Sequence, residues 1–333
     1  MICQAILRSL MLTVKRTVMA AERLKKRAQP KRRQQRAERK PTVSIIGAGR
    51  LGTALAGALA SCGYTIEAVV ARHRRRAQRA AKISGTSPLI LTSTELGQLP
   101  ASRLLFITTP DDRIASTATQ LAATFRGPTR GRTALHASGA LSSEALSDLK
   151  KAGCATGSLH PLVSVSDPVR GALSLREAFY CVEGDRAAVR IARQVVRDLG
   201  AQSFHIRTPD KALYHAAAVM ASGHLTALFD IAAEMLMRCG LTGRRARAIL
   251  LPLVRSTVEN LATLEPARAL TGTFARADTA TMRRHLAAIR AQAGDEALAA
   301  YVLLGRRSLR LAQKNGADKK ALKEMASTLK NKA

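Results

Sequence analysis

Between residues 41 and 207 the chain alternates short apolar runs with stretches of helical period. Val43-Ser-Ile-Ile46, Thr65-Ile-Glu-Ala-Val-Val70, Leu89-Ile-Leu91, Leu104-Leu-Phe-Ile-Thr108, Thr133-Ala-Leu-His136 and residues 155–159 read as strands, because each is short, rich in branched side chains and bounded by polar or glycine-containing segments. Helical stretches separate most of them. That alternation predicts an α/β fold, a doubly wound parallel sheet of the Rossmann type with helices on both faces. Phe179-Tyr-Cys-Val182, a helix over residues 186–199 and Ser203-Phe-His-Ile206 extend it by one more unit.

From Pro209 onward strand character disappears and alanine and leucine recur with helical spacing. Helices are expected over residues 209–239, 244–263, 279–292, 296–315 and 317–330, with Gly240, Pro266, Gly294 and Gly316 as punctuation. The chain therefore divides into a basic extension (1–40), a dinucleotide-type domain (41–207) and an all-helical domain (208–333). A cleft between the last two is the expected place for chemistry, since ligands of such sheets bind outside the carboxyl ends of the strands.

The first strand runs into Gly47-Ala-Gly49-Arg50-Leu51-Gly52, which opens a helix. Strand, GxGxxG and helix together form a phosphate-binding turn: Gly47 permits the bend, Gly49 lets a pyrophosphate approach, and Gly52 brings helix against strand. Arg50 and Leu51 supply the first helical amide groups, and the loop Thr108-Thr109-Pro110 after a later strand should run beside the cofactor. An NAD site places a carboxylate at the tip of the second strand. Here that tip reads Ala71-Arg72-His73-Arg74-Arg75-Arg76. Guanidinium groups suit a 2′-phosphate, so the cofactor is expected to be NADP, with Arg72 the chief contact and Arg74 to Arg76 either partners in it or a solvated helix start.

Composition changes this picture little. The 333 residues carry 54 basic and 23 acidic side chains, a net charge of +31. Residues 1–40 hold 13 of the basic and 2 of the acidic ones, so much of the excess sits in an appendage. Without tryptophan, and with few other aromatics, the chain lacks stacking platforms for bases, and nucleic acid is not the expected partner. Apolar residues near the N-terminus are interrupted by Arg8 and Lys15-Arg16, so no signal peptide or membrane span is read there. Residues 25–40, with Pro30, are expected to be disordered. A basic arm, a transit-like segment and read-through from an upstream start all fit; Met11 and Met19 offer later starts, and the last reading is preferred. Cys3, Cys62, Cys154, Cys181 and Cys239 show no paired spacing, which argues for a reducing, cytoplasmic compartment and against a cysteine metal site. The histidines form no metal-ligand pattern either.

Candidate chemistry clusters at four places. Lys211 and His215 stand one helical turn apart, with Ala218 and Ser222 continuing the stripe. A lysine beside a nicotinamide can protonate the alkoxide formed when hydride adds to a ketone. Ser138, in His136-Ala-Ser138-Gly139, and His160-Pro161 follow successive strands; His160 could exchange a proton with a substrate hydroxyl while Ser138 orients it. Asp111 or Asp112 reads mainly as a helix cap. Finally, Asn260 precedes Ala269-Leu-Thr-Gly272-Thr-Phe-Ala-Arg276-Ala-Asp278, where Arg276 could reach a substrate carboxylate across a dimer interface and Asp278 reads as an N-cap.

These motifs, with Lys211-x-x-Tyr214-His215-Ala-Ala, together resemble a bacterial family that joins a Rossmann-like N-terminal domain to a C-terminal helical domain of unknown function, over residues 41–315. The resemblance places it in the 6-phosphogluconate dehydrogenase C-terminal-domain-like group, beside ketopantoate reductase, hydroxyisobutyrate dehydrogenase, pyrroline-5-carboxylate reductase and prephenate dehydrogenase. It implies a helical, dimer-forming domain and a nicotinamide cofactor. Lys211-x-x-x-His215 is similar to the Lys-x-x-x-Asn of the first two relatives, where the lysine is the acid-base catalyst. Ser138 with His160-Pro161 is similar to the serine and His-Pro pair of prephenate dehydrogenase. The chain departs from the family at Gly223, where asparagine is expected in mid-helix, and at Thr273 and Ala277, where Thr-Gly-Pro and Arg-Gly-Asp are usual. The expectation is thus an NADP-dependent oxidoreductase acting on a small keto or hydroxy acid, ketopantoate-like, as a homodimer. The alternative is a dinucleotide-binding sensor or interaction protein without catalysis.

Overall fold

The computed structural model describes residues 40–330 other than 126 and 128. The extension proposed for residues 1–40 therefore lies, apart from Lys40, outside the described residues. The described chain divides after Ile206 into two compact units.

The first unit is one eight-stranded sheet in the order β3-β2-β1-β4-β5-β6-β7-β8. Its strands are β1 (Val43–Ile46), β2 (Ile66–Ala71), β3 (Leu89–Thr92), β4 (Leu104–Ile107), β5 (Thr133–His136), β6 (Ala155–Leu162), β7 (Phe179–Gly184) and β8 (Gln202–Phe204). Its helices are α1 (Arg50–Ser61), α2 (Arg74–Ser84), α3 (Asp111–Thr124), α4 (Ser147–Lys151), α5 (Pro168–Ser174) and α6 (Arg186–Asp198). Although β4 is apolar throughout and β1 apolar but for the buried Ser44, their side chains alternate between faces as the pleat requires. Val43, Ile45, Leu104 and Phe106 join one buried layer with Leu55, Leu59 and Val195. Ile46, Leu105 and Ile107 join the other with Ile114, Leu121 and Leu146. Burying each such side chain contributes roughly 1.5–3 kcal/mol, and this sandwich fixes the ends of β1, β4 and β5.

Two details differ from the expectation. β7 pairs antiparallel to β6, the one break in an otherwise parallel sheet; the link from β6 passes through the short α5 and carries no crossover helix of ordinary length. β6 also runs past Leu159 to Leu162, so His160 and Pro161 lie within the strand, with His160 opposite Cys181. An antiparallel partner on β7 supplies the hydrogen bonds that extend it, and no local pattern announces that partner.

The second unit is helical: α7 (Lys211–Ala221), α8 (Gly223–Arg238), α9 (Gly243–Thr263), α10 (Pro266–Ala269), α11 (Gly272–Ala275), α12 (Thr279–Gln292), α13 (Asp295–Lys314) and α14 (Lys319–Lys330). The single helix expected over residues 209–239 is two, broken at Ser222 with φ −123° and ψ −71°. Gly223 is consequently the first residue of α8 and not the mid-helix position expected. Met282, Leu286, Val302, Leu309, Met325 and Leu329 form a compact core under α11 to α14. By contrast α7, α8 and α9 bury little: Leu213, Met220, Ile249, Leu253 and Leu261 are all about half or more exposed. Residues Thr208–Arg238 are, by length and composition, the one stretch among the described residues that could cross a membrane, with 6% of the apolar window buried.

Candidate active site

The glycine turn is held by three strands. Gly47 bonds through its N–H to the Val70 carbonyl at 2.9 Å, and the Thr108 hydroxyl donates to the Gly47 carbonyl at 2.7 Å. Gly47 has φ +116°, and a Cβ there would lie 2.6 Å from the Thr108 carbonyl carbon. A Cβ on Gly52 would lie 2.0 Å from the Gly47 oxygen and 2.5 Å from Thr108 Oγ1. Both glycines are therefore required by close packing. Gly49 differs: nothing lies within 4 Å of the place its Cβ would take.

Gly49 also occupies the N-cap of α1, where no side chain caps the helix and the first turn, beginning Arg50-Leu51-Gly52, holds no acidic residue. The helix start thus presents amide hydrogens and the positive end of its dipole to open space. Beside it, Thr109 Oγ1 is buried and makes no hydrogen bond, and Pro110 precedes α3. An open cradle over Gly49, uncapped amides and an orphan hydroxyl are the features a bound dinucleotide pyrophosphate would fill. These residues fit the cofactor.

At the tip of β2 Arg72 is exposed. Arg74 is not available with it, because its guanidinium reaches back to the Ile90 carbonyl at 2.9 Å and to both oxygens of Glu95 at 2.5 and 2.7 Å. Glu95 is held below the usual carboxylate range by hydrogen bonds from Thr92, with Arg74 adding to them. The expected arginine cluster is thereby reduced to Arg72, Arg75 and Arg76, exposed side chains that start from one loop and the first turn of α2.

At the end of β5 the segment after His136 folds on itself. The Ser138 N–H donates to His136 Nδ1 at 3.2 Å, and His136 Nε2 faces the Ser142 carbonyl at 2.9 Å. Together these contacts fit a neutral ring with its hydrogen on Nε2. Ser138 donates through its hydroxyl to Asp111 at 2.7 Å and accepts from the amides of Ala140 and Leu141. Asp111 is accordingly no helix cap, since α3 starts without a capping side chain; its carboxylate anchors the β5 turn to the loop after β4. Glu183, 3% exposed on β7, fixes the same segment by accepting from the amide and hydroxyl of Ser143 at 2.7 and 3.0 Å. Sequence reading missed both carboxylate roles, because partners 27 and 40 residues apart leave no local signal.

The remaining candidates belong to the helical unit, apart from His160, which is half-buried in β6. Lys211 opens α7 and is 1% exposed, the one lysine buried among the described residues. His215 follows one turn later and is partly buried. Ser222 sits in the helix break, and its carbonyl accepts from Thr226. Asn260 is exposed on α9, and Arg276 is exposed at the end of α11. Asp278 does cap α12, accepting from the Thr281 amide at 2.9 Å.

The fold and the glycine turn define a Rossmann-like chain extended by a helical C-terminal domain, and two family models agree: a Rossmann-like domain over residues 27–161 and a domain of unknown function, DUF2520, over residues 178–308. The second match begins within the sheet, taking in β7, α6 and β8 before the helices. A comparison with curated proteins finds no match. Solved structures do match. A Bacteroides fragilis protein assigned as an NADP oxidoreductase superposes with a TM-score of 0.66 at 22% identity, over 81% of this chain and 98% of its own. A Thermotoga maritima protein gives 0.62 at 22% identity, over 82% and 99%. A reductive aminase from Aspergillus terreus, in complex with NADPH and ethyl levulinate, gives 0.56 at 18% identity, over 86% and 99%. At these identities the likeness speaks for the fold.

Proposed function

We propose that the chain is an NADP-dependent reductase that transfers a hydride to the C=O or C=N carbon of a small carboxylate-bearing compound, with ketopantoate-like 2-keto acids the first to test. The observation that carries this reading is the glycine turn: open above Gly49, uncapped at α1 and followed by Arg72 where an NAD site has a carboxylate. The NADP oxidoreductase and the NADPH-bound reductive aminase that share the fold support it. When bound, the cofactor supplies the hydride. Arg50 and Leu51 amides bind its pyrophosphate, Arg72 its 2′-phosphate, and Thr109 and Pro110 bound it on the β4 side.

In this reading Lys211 donates the proton that the substrate oxygen or nitrogen takes up as hydride reaches the neighbouring carbon. Its burial keeps the ammonium group away from bulk water, where a proton would be delivered without direction. Ser138, committed to Asp111, is a positioning residue for the β5 turn; His215 accompanies Lys211, while Ser222, Asn260 and Arg276 offer polar and cationic contacts to the carboxylate. The rival donor is His160. Lys211→Met should lower kcat by about 10²- to 10⁴-fold with NADPH affinity unchanged, whereas His160→Asn should do so if the histidine donates. Near-parental turnover of both variants would exclude this active site, and a keto-acid and imine screen without any turnover would favour the cofactor-binding sensor.

The exposed apolar side chains of α7 to α9, Leu213, Met220, Ile249 and Leu253 among them, support a homodimer, because large exposed apolar surface marks interaction sites. Among the described residues Cys62, Cys154, Cys181 and Cys239 form no disulfide; the proposed cytoplasmic location rests on the scattered spacing of the cysteines in the sequence.

A further inference from the structure

At the end of the sheet opposite the glycine turn lies a cavity of about 670 Å³. The N-terminal ends of three parallel strands form it: Lys40 and Pro41 lead into β1, Arg103 into β4, and Gly131 and Thr133 into β5. Helix α6 closes one side with Arg190, Gln194 and Arg197. Its volume falls within the range of small-molecule sites, roughly 300–1,000 Å³.

The charges in this cavity do not balance. Asp198 is its one carboxylate, and that group is fully engaged. It accepts from the Tyr64 hydroxyl at 2.7 Å and from Gln194 at 2.7 Å, and it pairs with Lys40 at 3.3 Å. Lys40 in turn donates to the Cys62 carbonyl and lies over the Tyr64 ring, 4.9 Å from its centroid. Lysine and aspartate cancel, leaving three guanidinium groups on a concave wall. Arg197 has a structural account, as the basic residue in the last turn of α6, where it complements the helix dipole. Arg190 sits about two turns earlier, and Arg103 comes from a different element altogether; among the described residues no ion pair claims either.

We propose that this cavity is a second binding site, separate from the glycine turn, for a small anion carrying two or more phosphate groups. Guanidinium forks from two elements, facing one cavity, suit phosphate oxygens through bidentate, charge-assisted hydrogen bonds. The one aromatic ring of the wall, Tyr64, is covered by Lys40, so no platform remains on which a base could stack. Recognition rests on the phosphates, and the cavity's concave form suits a compact oligophosphate better than an extended nucleic-acid backbone.

Calorimetric titration of the full chain with inorganic tripolyphosphate, at constant near-physiological salt, tests the site. The parent should show saturable binding. Arg103→Gln/Arg190→Gln should weaken it by about tenfold or more, while Arg238→Gln, an exposed arginine at the end of α8 and outside both sites, should leave it unchanged. Both pocket arginines are exposed, so melting curves should coincide; if the double variant melts early, Arg103→Gln alone, in a loop, decides by a rise of about threefold or more in Kd. Absence of saturable binding, equal affinity in parent and variant, or an equal loss in Arg238→Gln would overturn the proposal. So would preferential binding of a short single-stranded RNA that tripolyphosphate does not displace.

Discussion

Gly47, Gly49 and Gly52 have three different physical duties, and substitution separates them. Gly47→Ala meets both a left-handed φ and the Thr108 backbone, and Gly52→Ala meets the Gly47 carbonyl. Each should cost more than about 2 kcal/mol, seen as a fall of several degrees in Tm. Gly49→Ala meets nothing, so Tm should stay close to the parent while NADPH affinity falls by about tenfold or more, its methyl group standing where the pyrophosphate must approach. If all three variants lose stability alike, the turn is a packing device only. Arg72→Ala should weaken NADPH by roughly 1.5–3 kcal/mol and NADH hardly at all; equal affinities for the two cofactors in the parent would remove NADP from the reading. Ala277 presents a reverse case. It holds φ 51°, the one left-handed residue other than glycine among those described. Relief of about 1–2 kcal/mol on Ala277→Gly is offset by about 0.8 kcal/mol of lost methyl burial and by chain entropy, so Tm should barely move. Ala277→Val should lower it clearly, since branched side chains resist that conformation.

Among the elements, α6 is tied to the β1 and β2 entries through Asp198, Tyr64 and Lys40, and the tie is pH-dependent. Burial alone would push the Asp198 carboxyl up, but hydrogen bonds from Tyr64, Gln194 and Lys40 outweigh it and hold the group below its ordinary 3.8. A carboxylate depressed in the folded state contributes stability above its unfolded pKa and loses it as pH falls through the folded value. Burial, then the bond to Asp198, pushes the Tyr64 phenol well above 10.0; its contribution is complete below 10.0 and is lost as pH rises beyond. Asp198→Asn should therefore melt below the parent at neutral pH, and the gap should begin to narrow as pH falls past 3.8 and close beneath the still lower folded value. A gap that stays constant across that range would show that the carboxylate charge is immaterial. Helix boundaries tell a related story. The apolar pattern across residues 209–239 reads as one helix, yet the backbone turns at Ser222. With serine and glycine adjacent, the local cost of a break is small.

At the scale of the molecule, the contrast between the two parts of the helical unit matters most. Helices α11 to α14 enclose their own core, whereas α7 to α9 display leucine, isoleucine and methionine to solvent. Ile249 and Leu253 stand one turn apart on α9, 49% and 63% exposed, and share a face. If a second copy covers them, sedimentation should give a dimer, and Ile249→Arg/Leu253→Arg should give a monomer with the sheet domain intact. A parent that sediments as a monomer, or that partitions to lipid vesicles, would displace the dimer in favour of another partner or a bilayer.

The sheet domain was legible in the sequence because its evidence is local. Apolar runs of strand length, helical periods between them and glycines at fixed offsets are imposed by backbone geometry within a few residues. The Asp278 cap was legible for the same reason. What the tertiary structure decided involves partners far apart along the chain. It reversed β7 against β6, carried β6 through His160, turned Asp111 from a cap into the anchor of Ser138, gave Arg74 to Glu95, and gathered Arg103 and Arg190 around one cavity. Each depends on which side chains close packing brings face to face, and spacing along the sequence does not encode that.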